Sequence, residues 1–170
     1  MVMNNNISIH KKISNSMKSL VARIVLFVLY RGIKVLARED SRIMREFQSW
    51  PDGLSVVLET SYNGPSISLQ KKGDRLVRVP HSQNADIRIT FRSIDAAFLV
   101  LTGQIGVARA YAEHRFMLSG DICQTMSIVR CIDIAESYLF PRLMTRRILR
   151  KVEKKEFSTI RVYRKIFVGV

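Results

Sequence analysis

Residues 86–121 constrain the fold of this 170-residue chain more than any other segment. An alternating apolar and polar strand, 85–91, leads into an almost wholly apolar helix, 94–101, and then a second apolar stretch, 105–112. The segment closes with a short strand, 115–119, followed by Gly-Asp. A helix that is apolar on every side must be enclosed by the fold or must line a cavity. Nothing in the segment supplies catalytic side chains, so the segment predicts a fold that encloses an apolar cavity.

Size and composition indicate one globular domain. A chain of this length can bury roughly two thirds of the surface that its unfolded form exposes. Hydrophobic residues make up 47% of it, and Pro and Gly together only 12 residues, which argues against disorder and fibrous repeats. Cys123 and Cys131 lie in one predicted helix, about 12 Å apart along its axis, too far for a disulfide. We therefore predict free, buried thiols and a reducing, cytoplasmic compartment.

The net charge of +14 is concentrated at the two ends of the chain. Residues 1–50 carry +6 and residues 122–170 carry +7, whereas residues 51–121 carry only +1. A nucleic-acid-binding domain would carry its cations on the contacting module, interleaved with aromatic residues, so the pattern disfavours nucleic acid. It favours an anionic membrane surface, which attracts basic segments. The alternative is that these cations only solvate exposed helix faces.

The N-terminal fifty residues divide into a polar tail and helices. Residues 1–18 are rich in Asn and Ser, and we predict poor order there. Residues 20–37 predict an apolar and basic helix whose uncharged apolar core, 24–30, is too short to cross a bilayer. Arg31 and Lys34 disfavour a secretory signal. This helix either packs on the domain or lies in the interfacial plane of a membrane, peripheral on its inner face.

The central segment predicts a helix followed by strands. Residues 39–50 form the helix, with the apolar residues Ile43, Met44, Phe47 and Trp50 on one side. Strands are predicted at 54–61, 65–71, 75–79 and 85–91, the first three as an antiparallel meander joined by short Gly-bearing turns.

The second half of the chain is mostly helical. Ser93 is a predicted cap for helix 94–101, and Asp121 with Gln124 matches a capping box that begins a helix running to about residue 139. A basic helix is predicted at 142–155. The final segment, 158–170, predicts a strand, a tail docked on the sheet, or a tail that touches a membrane.

Catalytic and metal-binding patterns are missing from the sequence. The three histidines are scattered, and none stands three to five residues from another His or a Cys. There is no nucleophile elbow, phosphate-cradling loop or dinucleotide fingerprint. The sequence therefore predicts no enzyme activity, no catalytic residue, no metal and no cofactor.

Residues 50–139 resemble the sterol carrier protein 2 family of lipid-binding domains. The matching features are the meander, residues 85–91 followed by Ser93-x-Asp95, then Leu101-x-Gly103-Gln104, and the strand that ends in Gly120-Asp121. The resemblance implies an α+β fold: a five-stranded mixed, largely antiparallel sheet with helices packed over one face and enclosing an apolar cavity. It also implies noncatalytic binding and transfer of a hydrophobic lipid such as a sterol, fatty acyl chain or isoprenoid.

The chain departs from compact family members at both ends. We predict a poorly ordered segment 1–18, N-terminal helices at 19–50, the lipid-binding domain at 51–140, and a basic helix and tail at 141–170. These extensions resemble a bacterial subgroup similar to an accessory factor of ubiquinone biosynthesis. That likeness implies the alternative role of presenting a quinone precursor to partner enzymes, and the C-terminal extension could then plug the cavity.

Eight residues are candidates for the wall of the cavity. They come from the predicted strands and helices around it, and flexible Met side chains suit ligands of varied shape. The predicted ligand-binding residues are Phe91, Phe98, Leu101, Ile105, Tyr111, Met117, Met126 and Val129.

Overall fold

The structure is a computed structural model that describes residues 2–60, 64–139, 156 and 158–168, with side chains from residue 14 onward. The described helices are α1 Val2–Glu39, α2 Ser41–Ser49, α3 Ile94–Leu101, α4 Val107–Ala112, α5 Ile122–Leu139 and α6 Thr159–Val168. The described strands are β1 Ser55–Thr60, β2 Ser66–Lys72, β3 Arg75–Arg78, β4 Ile87–Phe91 and β5 Phe116–Ser119.

The strands form one five-stranded sheet in the order β3-β2-β1-β4-β5. At its centre β1 runs parallel to β4, and the other three pairings are antiparallel. A parallel pair requires a crossover, and here the chain leaves β1, makes β2 and β3, and returns to β4. The predicted α+β class with a mixed, largely antiparallel sheet is therefore confirmed.

The two faces of the sheet have different partners. Ile89 and Phe91 of β4 face the helices, and the alternate residues Arg88 and Thr90 face the other way. On that second face Glu59 accepts hydrogen bonds from Arg88 at 2.7 Å and from Thr90 at 3.0 Å. Arg88 also donates to the carbonyl oxygens of residues 82 and 83, which hold the β3–β4 connection against the sheet.

Helix α1 is longer than predicted. It is helical from Val2, whereas the sequence predicted poor order across residues 1–18. Extending a helix costs little once part of it is fixed by packing, and Leu29, Ile33 and Leu36 bury that part against the fold. Lys18 further anchors it through an ion pair with Asp95 of α3. The inner side of residues 20–37 therefore packs on the domain, which was one of the two predicted alternatives, and the outer side of the helix lies at the surface.

A buried carboxylate joins α1 to α2. Asp40 is fully buried, and it accepts hydrogen bonds from the backbone N–H and guanidinium of Arg42 and, at 2.8 Å, from the hydroxyl of Tyr138. Burial raises the pKa of Asp40, but the hydrogen bonds from Arg42 and Tyr138 outweigh it and leave that pKa below its ordinary value. The same group therefore caps α2 and fixes the end of α5.

The C-terminal segment is helical and packs on α1. Val162 and Ile166 of α6 are buried, and Glu39 at the end of α1 pairs with Arg161 and Lys165. None of the three structures predicted for residues 158–170 was a helix, so that prediction is corrected. Val162 and Ile166 stand four residues apart, which is a helical spacing, but two positions in so short a segment do not identify a helix.

The basic helix predicted at 142–155 lies outside the described residues, as does the first part of the turn at 62–64.

The two cysteines differ in their environment. Cys131 is fully buried, and burial raises the pKa of its thiol to about 12. Cys123 is exposed. The prediction of two buried thiols is therefore wrong for Cys123, because it lies in the first turn of α5, before that helix enters the core.

Steric crowding explains why the residue directly after β5 is glycine. Gly120 has φ +117, and a Cβ atom added to it would lie 2.2 Å from the carbonyl oxygen of Asp86. Asp121 then accepts a hydrogen bond from the backbone N–H of Gln124 at 2.8 Å and caps α5. Glycine at this position therefore lets β5 approach the start of β4 and turn into the helix.

Replacing this glycine tests the close approach. We expect Gly120→Ala to lower the free energy of unfolding by about 3 kcal/mol, because backbone strain and overlap with Asp86 add. Gly53→Ala is the matched control, since Gly53 also has positive φ but no atom lies within 4 Å of its added Cβ. It should cost only about 1 kcal/mol. Equal losses in urea unfolding would contradict the steric explanation.

Candidate functional site

The helix-facing side of the sheet carries a continuous apolar surface. Its strands alternate, so every second residue of β1, β2 and β4 points toward α1 and α5. The buried residues on this side are Val56, Leu58, Ile67, Leu69, Ile89 and Phe91. Two cavities lie between this surface and the helices.

The first cavity lies over β1, β2 and β3. Its volume is ≈ 20 Å³. It is lined by Leu26, Leu29, Tyr30, Ile33, Trp50, Val56, Leu58, Ile67, Leu69, Leu76, Ile128 and Ile132. Apart from the polar tips of Tyr30 and Trp50, the whole lining is hydrocarbon.

The second cavity lies over β1, β4 and β5 and is covered by α3 and α4. Its volume is ≈ 30 Å³. It is lined by Leu29, Leu58, Ile89, Phe91, Val100, Leu101, Val107, Phe116, Val129, Ile132 and Glu136. Leu29, Leu58 and Ile132 line both cavities, so the two cavities lie side by side and are separated by these three side chains. We call the apolar contact layer between sheet and helices that contains both cavities the seam.

The size of the cavities limits what they hold as they stand. A cavity of these volumes has room for about one or two water molecules, whereas ligand pockets usually measure about 300–1,000 Å³. Among the described residues, the space between the sheet and the helices therefore consists of two small voids, which are far smaller than a ligand cavity. A lipid chain could enter only if α1, α3 or α5 moved away from the sheet.

Glu136 is the one acidic side chain among the residues that line the two cavities. It is only 2% exposed, and its Oε2 has no hydrogen-bond partner in the described structure. Burial, and to a smaller extent the charge of Asp133, together raise the pKa of Glu136 to about 8. Burial also raises the pKa of Asp133, to about 6. Glu136 therefore carries a proton at neutral pH and faces the second cavity as an uncharged acid.

The eight predicted ligand-binding residues fall into three groups. Phe91, Leu101 and Val129 line the second cavity. Phe98 and Ile105 are half-buried and line neither cavity, and Ile105 packs against the hydrophobic core.

The remaining three predicted residues lie at the surface. Tyr111, Met117 and Met126 are respectively 54%, 55% and 45% exposed. Met117 follows the inward-facing Phe116 on β5, so the alternation of the strand points it away from the helices.

Sequence reasoning missed Glu136 and the contribution of α1 to both cavities. The signal for α1 was present, because Leu26, Leu29 and Ile33 repeat at helical spacing. The signal for Glu136 was weaker, because it is one of two carboxylates, with Asp133, in a largely apolar helix α5. Its burial follows from packing between α5, α3 and the sheet, which no local pattern shows.

The outer face of α1 is a second candidate surface. Met17, Leu20, Ile24 and Phe27 are spaced by three or four residues and are 65%, 60%, 53% and 44% exposed, so they form one stripe opposite the buried side. We call these four residues the α1 stripe. Arg23 and Arg31 flank it, and the Arg31 guanidinium lies 5.8 Å from the ring centre of Phe27.

The described residues also bear on whether a helix spans a membrane and whether a metal ion is held. None of the described helices is both long enough and apolar enough to span a bilayer. Within the same residues, no three His, Cys, Asp or Glu side chains are grouped as a metal ion would need.

Comparisons with known proteins give structural likenesses only. No family model and no curated protein matches this chain. Among solved structures, the ubiquinone synthesis protein UbiJ-SCP2 matches with TM-score 0.45 and 16% identity, over 63% of this chain and 95% of its own. Sterol carrier protein 2 from Yarrowia lipolytica, in its apo form, matches with TM-score 0.44 and 17% identity, over 64% of this chain and 87% of its own.

A third structure is of the same type. Sterol carrier protein 2 like 2 from Aedes aegypti matches with TM-score 0.41 and 12% identity, over 64% of this chain and 96% of its own.

Titration of Glu136 predicts how stability depends on pH. Its folded pKa of about 8 lies above the ordinary 4.5, so its contribution to stability is complete below about pH 4.5 and is lost as pH rises through 8. We expect Glu136→Gln to remove this loss. Between about pH 5 and 9, urea unfolding should show wild type losing roughly 4 kcal/mol more than the variant.

Asp133→Asn is the matched control for that titration. The pKa of Asp133 is raised only to about 6, so this substitution should remove pH dependence below that value. Because it also removes a charge that raises the pKa of Glu136, the loss due to Glu136 should remain but move to lower pH. Identical pH profiles for wild type and Glu136→Gln would show that Glu136 is not held uncharged in the folded protein.

Proposed function

We propose that this protein binds a hydrophobic lipid between its sheet and its helices, without catalysis, and carries or presents that lipid at a membrane surface. The observation that supports this most directly is the pair of adjacent apolar cavities on one seam. Their linings share Leu29, Leu58 and Ile132, so displacement of these side chains would join the two voids into one elongated site.

The energetics of such binding are favourable without any special polar contact. Burying about 300 Å² of lipid surface at ~25 cal/mol per Å² contributes about 7 kcal/mol before association costs. Opening the seam exchanges helix-to-sheet contacts for lipid-to-protein contacts of the same apolar kind. Micromolar affinity needs about 8 kcal/mol after association costs, so a micromolar ligand must bury more than this area along the opened seam.

The α1 stripe supports a membrane as the place of exchange. Four exposed apolar side chains along one helix face can enter the headgroup region, while the basic residues on the same outer side meet anionic lipid. Arg31, Lys34 and Arg38 continue that side of α1 beyond Phe27, as their spacing along the helix shows. Helix α1 also lines the first cavity on its buried side, so one helix contacts both the membrane and the binding seam.

The identity of the lipid distinguishes the finer versions of this proposal. A sterol or fatty acyl chain would fit a general carrier in the cytoplasm or peripheral on the membrane. A prenylated aromatic compound, together with co-purifying enzymes, would instead fit presentation of a quinone precursor. Tighter, salt-sensitive binding to RNA or DNA than to anionic vesicles would replace both versions with a nucleic-acid-binding role.

Extraction of bound lipid tests the binding site. We expect native mass spectrometry of the full chain purified from cells to show a bound mass that organic solvent releases. Ile132→Phe should reduce the bound fraction severalfold, because Ile132 lines both cavities and the larger ring fills space of the size of one void. Met126→Phe, on the exposed side of the same helix, is the matched control and should leave the bound fraction unchanged.

A mass without bound lipid for protein purified from cells, together with no uptake of a fluorescent fatty alcohol in solution, would refute the lipid-binding proposal. Equal loss of lipid in both variants would show that the seam is not the binding site.

Vesicle binding tests the membrane surface. Replacing Leu20 and Ile24 by Gln should weaken binding to vesicles that contain phosphatidylserine about tenfold or more, because each side chain contributes about 1–2 kcal/mol of burial. Binding by wild type should also weaken as salt rises. Ile160→Gln, an exposed apolar position on α6, is the control and should bind like wild type. Unchanged co-sedimentation of the double variant would exclude the α1 stripe as the contact surface.

A further inference from the structure

One oxygen of the Glu136 carboxyl group, Oε2, is not used in holding the described fold together. Its neighbours in the second cavity are apolar side chains of α1, the sheet, α3 and α4, and Oε2 is buried there without a hydrogen-bond partner among the described residues. A buried polar atom left unpaired costs about 1–3 kcal/mol. Leucine or methionine at this position would avoid that cost, so the stability of the fold does not explain why a carboxyl group lies here.

We propose that Glu136 is the polar anchor of the lipid site, donating a hydrogen bond to an uncharged oxygen head group, a hydroxyl or a carbonyl, of a ligand in the second cavity. This inference rests on the proposed lipid-binding function and assigns the chemical class of its ligand. The head group would lie beside Glu136 and the apolar remainder would extend along the seam past Ile132 and Leu29 into the first cavity.

The charges around the cavity select an uncharged head group. The lining contributed by α1, the sheet, α3 and α4 contains no charged side chain, and Asp133, one turn earlier on α5, is the other acidic group that acts on Glu136. A ligand carboxylate or phosphate placed there would meet two acidic groups and no described cation. Its desolvation would be uncompensated, so fatty acids should bind with their carboxylate elsewhere or bind poorly.

Protonation of the Glu136 carboxyl group makes ligand binding depend on pH. With a pKa of about 8 in the folded protein, the Glu136 carboxyl can donate its proton at neutral pH, and it loses that donor as the pH rises above 8. Ionised Glu136 would also draw water into the cavity. Binding of a ligand with an uncharged oxygen head should therefore weaken at alkaline pH, whereas a variant with an uncharged amide at this position should not respond.

The test compares two probes of equal chain length, 1-dodecanol and dodecanoate, by isothermal titration calorimetry on the full chain. For wild type near pH 6.5, we expect dodecanol to bind about tenfold more tightly than dodecanoate, and to lose about fivefold in affinity near pH 9.5. Glu136→Gln should bind dodecanol as wild type does at the lower pH and should lose the pH dependence. Glu136→Leu should bind dodecanol about fivefold more weakly, so its preference over dodecanoate should narrow to about twofold, and it should show no pH dependence.

The outcomes separate this inference from the proposed function. If both probes bind, but with affinities that are indifferent to pH and to both substitutions, lipid binding stands and the anchor is refuted. If neither probe binds to any of the proteins, both proposals fail. The pH series on wild type needs no substitution, so the test remains decisive even if Glu136→Leu does not fold.

Discussion

The packing of α1 and α5 on one face of the sheet is the contact on which the rest of this structure depends. Both helices place a row of aliphatic side chains against the alternate residues of β1, β2 and β4, and Leu29 and Ile132 sit at the middle of that layer. The polar contacts act at its rim: Asp40 with Tyr138, and Glu39 with Lys165, fix the ends of the helices. Burial thus supplies the cohesion, and the buried or half-buried polar groups set how the helices are aligned.

The same layer leaves the two features that support a ligand site. Protein interiors usually close their voids, yet here two voids remain side by side, and an acid is left unpaired at the wall of one of them. Each has a cost to stability. Their occurrence together, on the seam between elements that could separate without breaking the sheet, is what a binding protein requires and a purely structural core avoids.

Helix α1 connects that interior to the surface. Its inner side lines the first cavity, while its outer side presents the α1 stripe and a series of basic residues. If the outer side enters a membrane, the forces that hold α1 against the sheet compete with its attraction to lipid. Opening of the seam and contact with the membrane would then be coupled through one rigid element.

The sequence by itself determined the elements and their class. The alternation in residues 85–91, the caps at Ser93 and Asp121, and the Gly-Asp pair all act within a few residues, and they placed β4, α3 and α5 where the structure has them. Only the tertiary structure decided which apolar residues line the voids, that Glu136 is buried without a partner, and that the last segment is a helix on α1. Those features depend on which surfaces meet and how closely they fit, and contacts between residues a hundred positions apart leave no periodic trace in the chain.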